Sequence, residues 1–161
     1  PFLGSFAVLL RSCAYMLTLG REGMRRVSEN AVLNANYLRV KLAPFFDQQI
    51  TRDCMHECVF SATRSKDNGV HALDIAKALI DRGFHPPTIY FPLIIPEALM
   101  IEPTETESKE TLDAFIAAMQ EIASLAASDP QALLQAPIST PVRRLDETGA
   151  ARHPDLASLG D

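Results

Sequence analysis

Residues 54–58, Cys-Met-His-Glu-Cys, place three soft metal ligands within five positions. In a β-strand the side chains alternate, so Cys54, His56 and Cys58 would share one face. Two thiolates and an imidazole suit zinc, with a fourth position left open. Three ligands from alternate positions of one strand fit a tetrahedron poorly, however, and the sequence has no second Cys or His cluster. We therefore favour a half-buried strand edge and predict no metal site.

A histidine stands where the backbone is held rigid. His85 is followed by Pro86 and Pro87, whose fixed φ angles produce an extended turn that aims the imidazole. Because imidazole changes charge near neutral pH, an aimed histidine is a candidate for binding or proton transfer. A hydrogen-bonded loop histidine is the more common case at such a position, and the residues alone favour it.

An acidic segment follows further along the chain. Residues 102–107 contain three carboxylates, those of Glu102, Glu105 and Glu107. Carboxylates near a helix start suit its positive end, and Thr104 with Glu107 has the spacing of a capping box. Capping together with a solvated acidic face explains the segment more simply than catalysis does.

Hydrophobic spacing predicts the elements that carry these segments. Four helices are predicted, over 6–42 with one break near Gly20 and Gly23, and over 73–80, 112–126 and 131–135. Three strands are predicted over 56–61, 88–91 and 99–102, with a polar loop over 64–69. Two or three strands with helices packed on one side form a small α/β layer domain of mixed α+β type.

This order of elements divides the chain into three parts. We expect a helical segment over 1–43, a small α/β domain over 44–136 and an irregular tail over 137–161. Residues 6–19 are apolar on most faces of their helix, so we expect this helix to pack against protein outside the small domain. Asn30 and Asn34 share a helix face, and we expect them either to bond across the domain boundary or to lie on the surface.

Composition excludes several classes of protein. The chain has 161 residues, 47% hydrophobic and 22% charged, which is a globular profile. A net charge of −5 argues against a nucleic-acid surface. The apolar run 2–10 falls short of the roughly 20 residues of a membrane helix, and three cysteines are too few for a disulfide framework. We expect a cytoplasmic protein and, since the sequence begins with proline, part of a longer one.

Sequence motifs supply a more specific indication. Four stretches resemble the glycine dehydrogenase (decarboxylating) family, the P-proteins of the glycine cleavage system: RVSENAVLNANYL at 26–38, LDIAK at 73–77, GFHPPTIYFP at 83–92 and LMIEPTETESKETLD at 99–113. The tail, with TPVRRLDE at 140–147 and AAR at 150–152, is similar to the second subunit of the two-subunit bacterial form. The resemblance covers nearly the whole chain.

The resemblance implies a fold and an activity. The fold is the C-terminal small domain of a fold-type I pyridoxal-phosphate enzyme, preceded by a long linking helix. The activity is decarboxylation of glycine on the cofactor, followed by transfer of the aminomethyl group to the lipoyl arm of the H-protein. The implied partners are glycine, the lipoyl H-protein, P-protein subunit 1 and a second copy of subunit 2, with no nucleic acid and no membrane.

In this family the lysine that binds the cofactor follows a histidine in the large domain. None of the four lysines here, Lys41, Lys66, Lys77 and Lys109, follows a histidine. The resemblance therefore implies that this chain contains no catalytic and no cofactor-binding residue, and that it is inactive alone.

The resemblance also implies that this domain closes over the cofactor cleft. Two polar turns beside strand ends are the candidates to line that cleft, since α/β sites lie at such positions. The candidate residues are His85, Thr88, Glu102, Thr104 and Glu105. Two alternatives remain: another fold-type I enzyme with the same small domain, and a non-catalytic interaction or regulatory module derived from one.

Overall fold

The computed structural model describes residues 3–155. The elements are α1 (Phe6–Leu42), β1 (Cys58–Ser61), α2 (Thr63–Lys66), α3 (Ala72–Asp81), β2 (Thr88–Ile89), β3 (Ala98–Ile101), α4 (Lys109–Ser128), α5 (Pro130–Leu134) and α6 (Glu147–Arg152). Phe2 of the apolar opening run and residues 156–161 of the predicted tail lie outside the described residues.

The three strands form one antiparallel sheet in the order β1-β3-β2. Met100 of β3 lies opposite both Val59 of β1 and Thr88 of β2. Helices and this small sheet together make an α+β domain, which confirms the predicted fold class. The first strand is shorter than predicted and begins at Cys58, so His56 lies outside it.

Helix α1 is interrupted at Gly20, as predicted, where φ is 63° and ψ is −177°. Glycine reaches this conformation without the steric strain that a Cβ atom brings. After the break, Ala35, Leu38 and Leu42 are buried against the small domain. Before it, the apolar side chains of the helix are exposed, so the described part of the chain does not cover them.

The core lies between the sheet, the second half of α1 and helices α3, α4 and α5. Its fully buried large side chains are Leu38, Leu42, Phe46, Phe60, Val70, Ile75, Leu79, Leu99, Met119, Ile122 and Leu133. Phe46 and Phe60 meet edge to face, with ring centroids 6.2 Å apart.

Two local predictions were wrong. Ser108, and not Thr104, caps helix α4: the Ser108 side chain accepts a hydrogen bond from the Thr111 amide at 3.2 Å. The Thr104 carbonyl is engaged in a separate turn, where it accepts from the Glu107 amide at 3.2 Å. In addition, the polar segment 64–69 was predicted as a loop, but it is partly helical because α2 extends to Lys66.

The tail is attached to the domain by two charged contacts. Arg144 lies 2.7 Å from the buried carboxylate of Asp74, and it also donates to the Ala136 and Leu133 carbonyls at 2.7 and 3.1 Å. Asp81, at the end of α3, accepts from the amides of residues 138 and 139. The tail was predicted to be irregular, but it contains the short helix α6.

Candidate functional site

A cavity of about 620 Å³ opens where the edge of the sheet meets the start of α4 and the second half of α1. It is lined by Leu38, Gly83, Phe84, His85, Pro86, Pro87, Thr88, Met100, Ile101, Glu102, Pro103, Thr104, Glu107, Thr111, Leu112 and Phe115. Its floor is apolar and its rim carries carboxylates, hydroxyls and one imidazole. We call this cavity the cleft.

Four of the five predicted site residues line the cleft: His85, Thr88, Glu102 and Thr104. The structure thus brings together two turns that are separated along the chain by strand β3 and by the loop before it. Glu105, the fifth, does not line the cleft and is half-buried in its own turn.

The sequence did not indicate two polar residues that also line the cleft, Glu107 and Thr111. Glu107 had been interpreted as part of a helix cap, and Thr111 lies in the first turn of α4. Helical periodicity does single out Leu112 and Phe115 as apolar, but it does not show that they border an open cavity.

The histidine side of the cleft is fixed by the end of α3. Gly83 has φ of 79° and its amide donates to the Ile80 carbonyl at 3.0 Å, while the Phe84 amide donates to the Leu79 carbonyl at 3.0 Å. This pair of bonds is the Schellman arrangement that ends a helix. The Phe84 ring then packs edge to face on Phe115 at 5.4 Å, so the turn that presents His85 is anchored where it leaves α3.

The acidic side of the cleft is fixed by α1. The side-chain amide of Asn34 donates to the Thr104 carbonyl at 2.9 Å and to the Glu107 carbonyl at 3.3 Å. Within the turn, the hydroxyls of Thr104 and Thr106 are 2.7 Å apart. Pro103 is buried. Asn34 therefore does bond across the predicted domain boundary at residue 43.

A second acidic group stands at the outer edge of the cleft. His56 Nε2 is 3.8 Å from Glu102, and Glu57 lies beside them, so ligand atoms of the three residues are within 4.8 Å of one another. His56 and Glu102 are more than half exposed, and an exposed ion pair accounts for the grouping. Cys54 and Cys58 do not join His56 in this group.

The two cysteines near His56 lie in surroundings that disfavour the thiolate form that zinc binds. Burial raises the pKa of the Cys58 thiol far above its ordinary value, and burial also raises that of Cys54. Zinc binds thiolates, so a raised thiol pKa disfavours binding. The amide of Cys54 donates to Asn36 at 3.1 Å and its carbonyl accepts from Asn36 at 2.7 Å, which ties this segment to α1.

We therefore expect the purified protein to contain no stoichiometric zinc. Elemental analysis after dialysis against a zinc-containing buffer measures this directly, and the Cys54→Ser variant is the control. About one zinc per chain in the wild type, lost in the variant, would show that the thiols do bind metal.

The four lysines lie away from the cleft, since none is among the residues that line it. Lys66 is 3.9 Å from Glu97, and Lys109 is 2.6 Å from Asp113. The bond to Asp113 and its charge raise the pKa of Lys109. A lysine with a raised pKa is a poorer nucleophile at neutral pH, so Lys109 is not an activated amine.

No helix among residues 3–155 is long and apolar enough to cross a membrane. Comparison with known proteins is more informative. A family model described as glycine dehydrogenase, C-terminal domain, matches residues 27–135. This match includes α1 from residue 27 onward, the whole sheet and every residue that lines the cleft.

Several curated proteins are similar over nearly the whole chain. A probable glycine dehydrogenase (decarboxylating) subunit 2 of Caldanaerobacter subterraneus subsp. tengcongensis is 56% identical over 153 residues, 95% of this chain and 32% of the relative. Proteins of the same description from Bacillus velezensis and Halalkalibacterium halodurans are 54% and 56% identical over 156 residues, 97% of this chain and 32% of each relative.

The chain spans about a third of the length of these curated relatives. The family model, by contrast, covers well over half of the chain. The resemblance identified from the four sequence motifs is thereby confirmed, and the chain belongs to the glycine dehydrogenase C-terminal domain family.

Proposed function

We propose that this chain forms the C-terminal part of a glycine dehydrogenase (decarboxylating) of the subunit 2 type, and that its cleft is one wall of the pyridoxal-phosphate site. One observation carries the proposal. The two turns predicted from the family resemblance to face the cofactor site, 85–88 and 102–105, both contribute to a single cavity, which all of the candidate residues but Glu105 line.

The wall does not hold the cofactor itself. Pyridoxal phosphate needs a lysine for its imine and several donors for its phosphate, and the cleft lining contains no lysine or arginine. The rim carries Glu102 and Glu107 instead, which would repel a phosphate. The cofactor therefore binds to the other part of the enzyme, where it supplies the electron sink for loss of the glycine carboxylate.

This chain's residues contribute shape and polarity to the closed site. Leu38, Leu112 and Phe115 form an apolar floor that excludes water, and excluding water strengthens electrostatic interactions inside a site. The carboxylates of Glu102 and Glu107 attract cationic groups and repel anionic ones. His85 and Thr88, on the opposite rim, offer hydrogen bonds that orient a bound molecule.

The remaining parts of the proposal follow from the family. Residues 1–43 act as the linking helix, 44–136 as the small domain and 137–161 as its tail. The whole enzyme, a cytoplasmic bacterial assembly with a subunit 1 and a second subunit 2, acts on glycine and passes the aminomethyl group to the lipoyl arm of the H-protein. This chain alone is inactive.

We expect the chain by itself to form no specific adduct with pyridoxal phosphate, because no lysine lies in the cleft and the ion pair with Asp113 raises the pKa of Lys109. Borohydride reduction followed by peptide mass spectrometry measures this. Free N-acetyl-lysine under the same conditions gives the level of random adducts to be subtracted.

A stoichiometric adduct at one lysine would contradict the proposal that the imine lysine lies elsewhere. The complementary measurement uses the intact enzyme that contains this segment. There, one adduct per active site is expected, on a lysine outside residues 1–161.

A further inference from the structure

One side chain of α1 determines where the acidic rim of the cleft stands. The segment 102–107 leaves β3 at Ile101 and reaches α4 at Ser108 without any strand or helix of its own. Its cross-connection to α1 is the pair of hydrogen bonds that Asn34 donates to the carbonyls of Thr104 and Glu107. These carbonyls bracket the turn, so a single amide group fixes both of its ends.

The same face of α1 supplies part of the cleft floor. Leu38 lies four residues after Asn34, one helical turn further on, and it is buried and lines the cleft. The distance between floor and acidic rim is therefore set within α1 by one turn of helix. Any shift of the rim relative to α1 has to break a bond to Asn34.

We propose that Asn34 is a positioning residue for the cleft: it holds Glu102 and Thr104 at the distance from the floor and from His85 that binding requires. The inference rests on the proposed function, because it takes the cleft to be part of the enzyme's site. Asn34 does not itself line the cleft, so it acts through the turn and touches no bound molecule.

Asparagine suits this position because its amide carries two N–H donors. A hydrophobic residue of similar size would leave two carbonyls without their side-chain donor, and an aspartate would set a carboxylate against both carbonyl oxygens. Asparagine is a poor helix former in mid-helix, so its presence here is explained by the bonds that it makes.

The test uses the intact glycine dehydrogenase that contains this segment, with glycine as substrate. We expect Asn34→Ala to raise the KM for glycine at least fivefold while kcat stays within about twofold. Asn34→Ser keeps a shorter hydrogen-bond donor, so its KM for glycine should lie between those of the wild type and Asn34→Ala.

The matched control is Asn30→Ala. Asn30 is exposed and lies one turn earlier on the same helix, so this change should alter neither KM nor kcat.

A purely structural role would lower the active fraction, and with it kcat, and would leave KM unchanged; that result for Asn34→Ala overturns the inference. If Asn34→Ala does not fold, the same comparison is made with Asn34→Ser, and an unchanged KM again overturns it. Thr104→Val separates the two proposals. If Thr104→Val raises the KM for glycine and the Asn34 variants do not, the proposal that Asn34 positions the turn is wrong, while the proposal that the cleft is part of the site is retained. If neither change raises the KM, the cleft is not part of the site.

Discussion

Replacing Arg144 by methionine lowers the free energy of unfolding by about 2 kcal/mol, as measured by urea denaturation of the chain. The Asp74 side chain is only 5% exposed, and Arg144 lies 2.7 Å from its carboxylate. Removing one partner of a buried pair leaves an uncompensated charge, which costs about 3–5 kcal/mol when both groups are buried. Because 34% of the Arg144 side chain meets solvent, screening reduces that figure.

Two controls make this result specific. Arg143→Met changes the neighbouring arginine, which is exposed, and should shift the free energy of unfolding by less than about 0.5 kcal/mol. Adding Asp74→Asn to Arg144→Met removes the unpaired charge, while the new amide oxygen can still accept from the His71 amide. We expect the double variant to be more stable than Arg144→Met alone. If Arg144→Met and Arg143→Met are equally stable, the tail is not clamped to α3.

The elements with a strong apolar period were predictable, and those fixed by tertiary contacts were not. Helices α3 and α4 have clear stripes, and Gly83 ends α3 as the sequence indicated. The cap of α4 was predicted at the wrong residue because both Thr104 and Ser108 are possible N-cap residues. In the structure Asn34 bonds the carbonyls of Thr104 and Glu107, which belong to a separate turn, and the helix begins after Ser108. The long-range contact to Asn34 is not visible in local sequence spacing.

The same distinction applies to the site. The rigid turn at His85 and the acidic segment after β3 were visible in the sequence, because prolines and clustered carboxylates are local features. That they face each other follows from the antiparallel pairing of β2 and β3, which brings the start of β2 beside the end of β3. Chain order favours the pairing of consecutive strands but does not require it. Glu107, just before α4, and Thr111, in its first turn, also line the cleft, and this depends on where α4 packs in the fold.

We expect the isolated chain to associate with itself through the first half of α1. Phe6 and Leu17 are 77% and 78% exposed, and further exposed apolar residues lie between them, Val8, Leu9, Leu10, Tyr15 and Met16. A monomeric protein seldom exposes so large an apolar patch. We propose that in the whole enzyme another part of the polypeptide covers this surface. When the chain is isolated, a second copy of it can cover the same apolar side chains.

Light scattering tests this association, since it gives the molar mass of the chain across a dilution series. Changing Leu9, Leu10 and Leu17 to glutamine should weaken the association at least about 100-fold, because each buried leucine contributes roughly 1.5–3 kcal/mol and tenfold in affinity corresponds to about 1.4 kcal/mol. At chain concentrations low enough for the wild type to be monomeric, the free energy of unfolding should stay nearly constant, since these side chains are outside the core of one chain. The matched control changes Leu93 and Ile94 to glutamine. These residues are 87% and 83% exposed in the loop before β3, so the change should leave the association intact. A wild-type chain that stays monomeric at high concentration, with the amides of residues 6–19 fully protected from hydrogen exchange, would mean that α1 packs on a surface of its own domain.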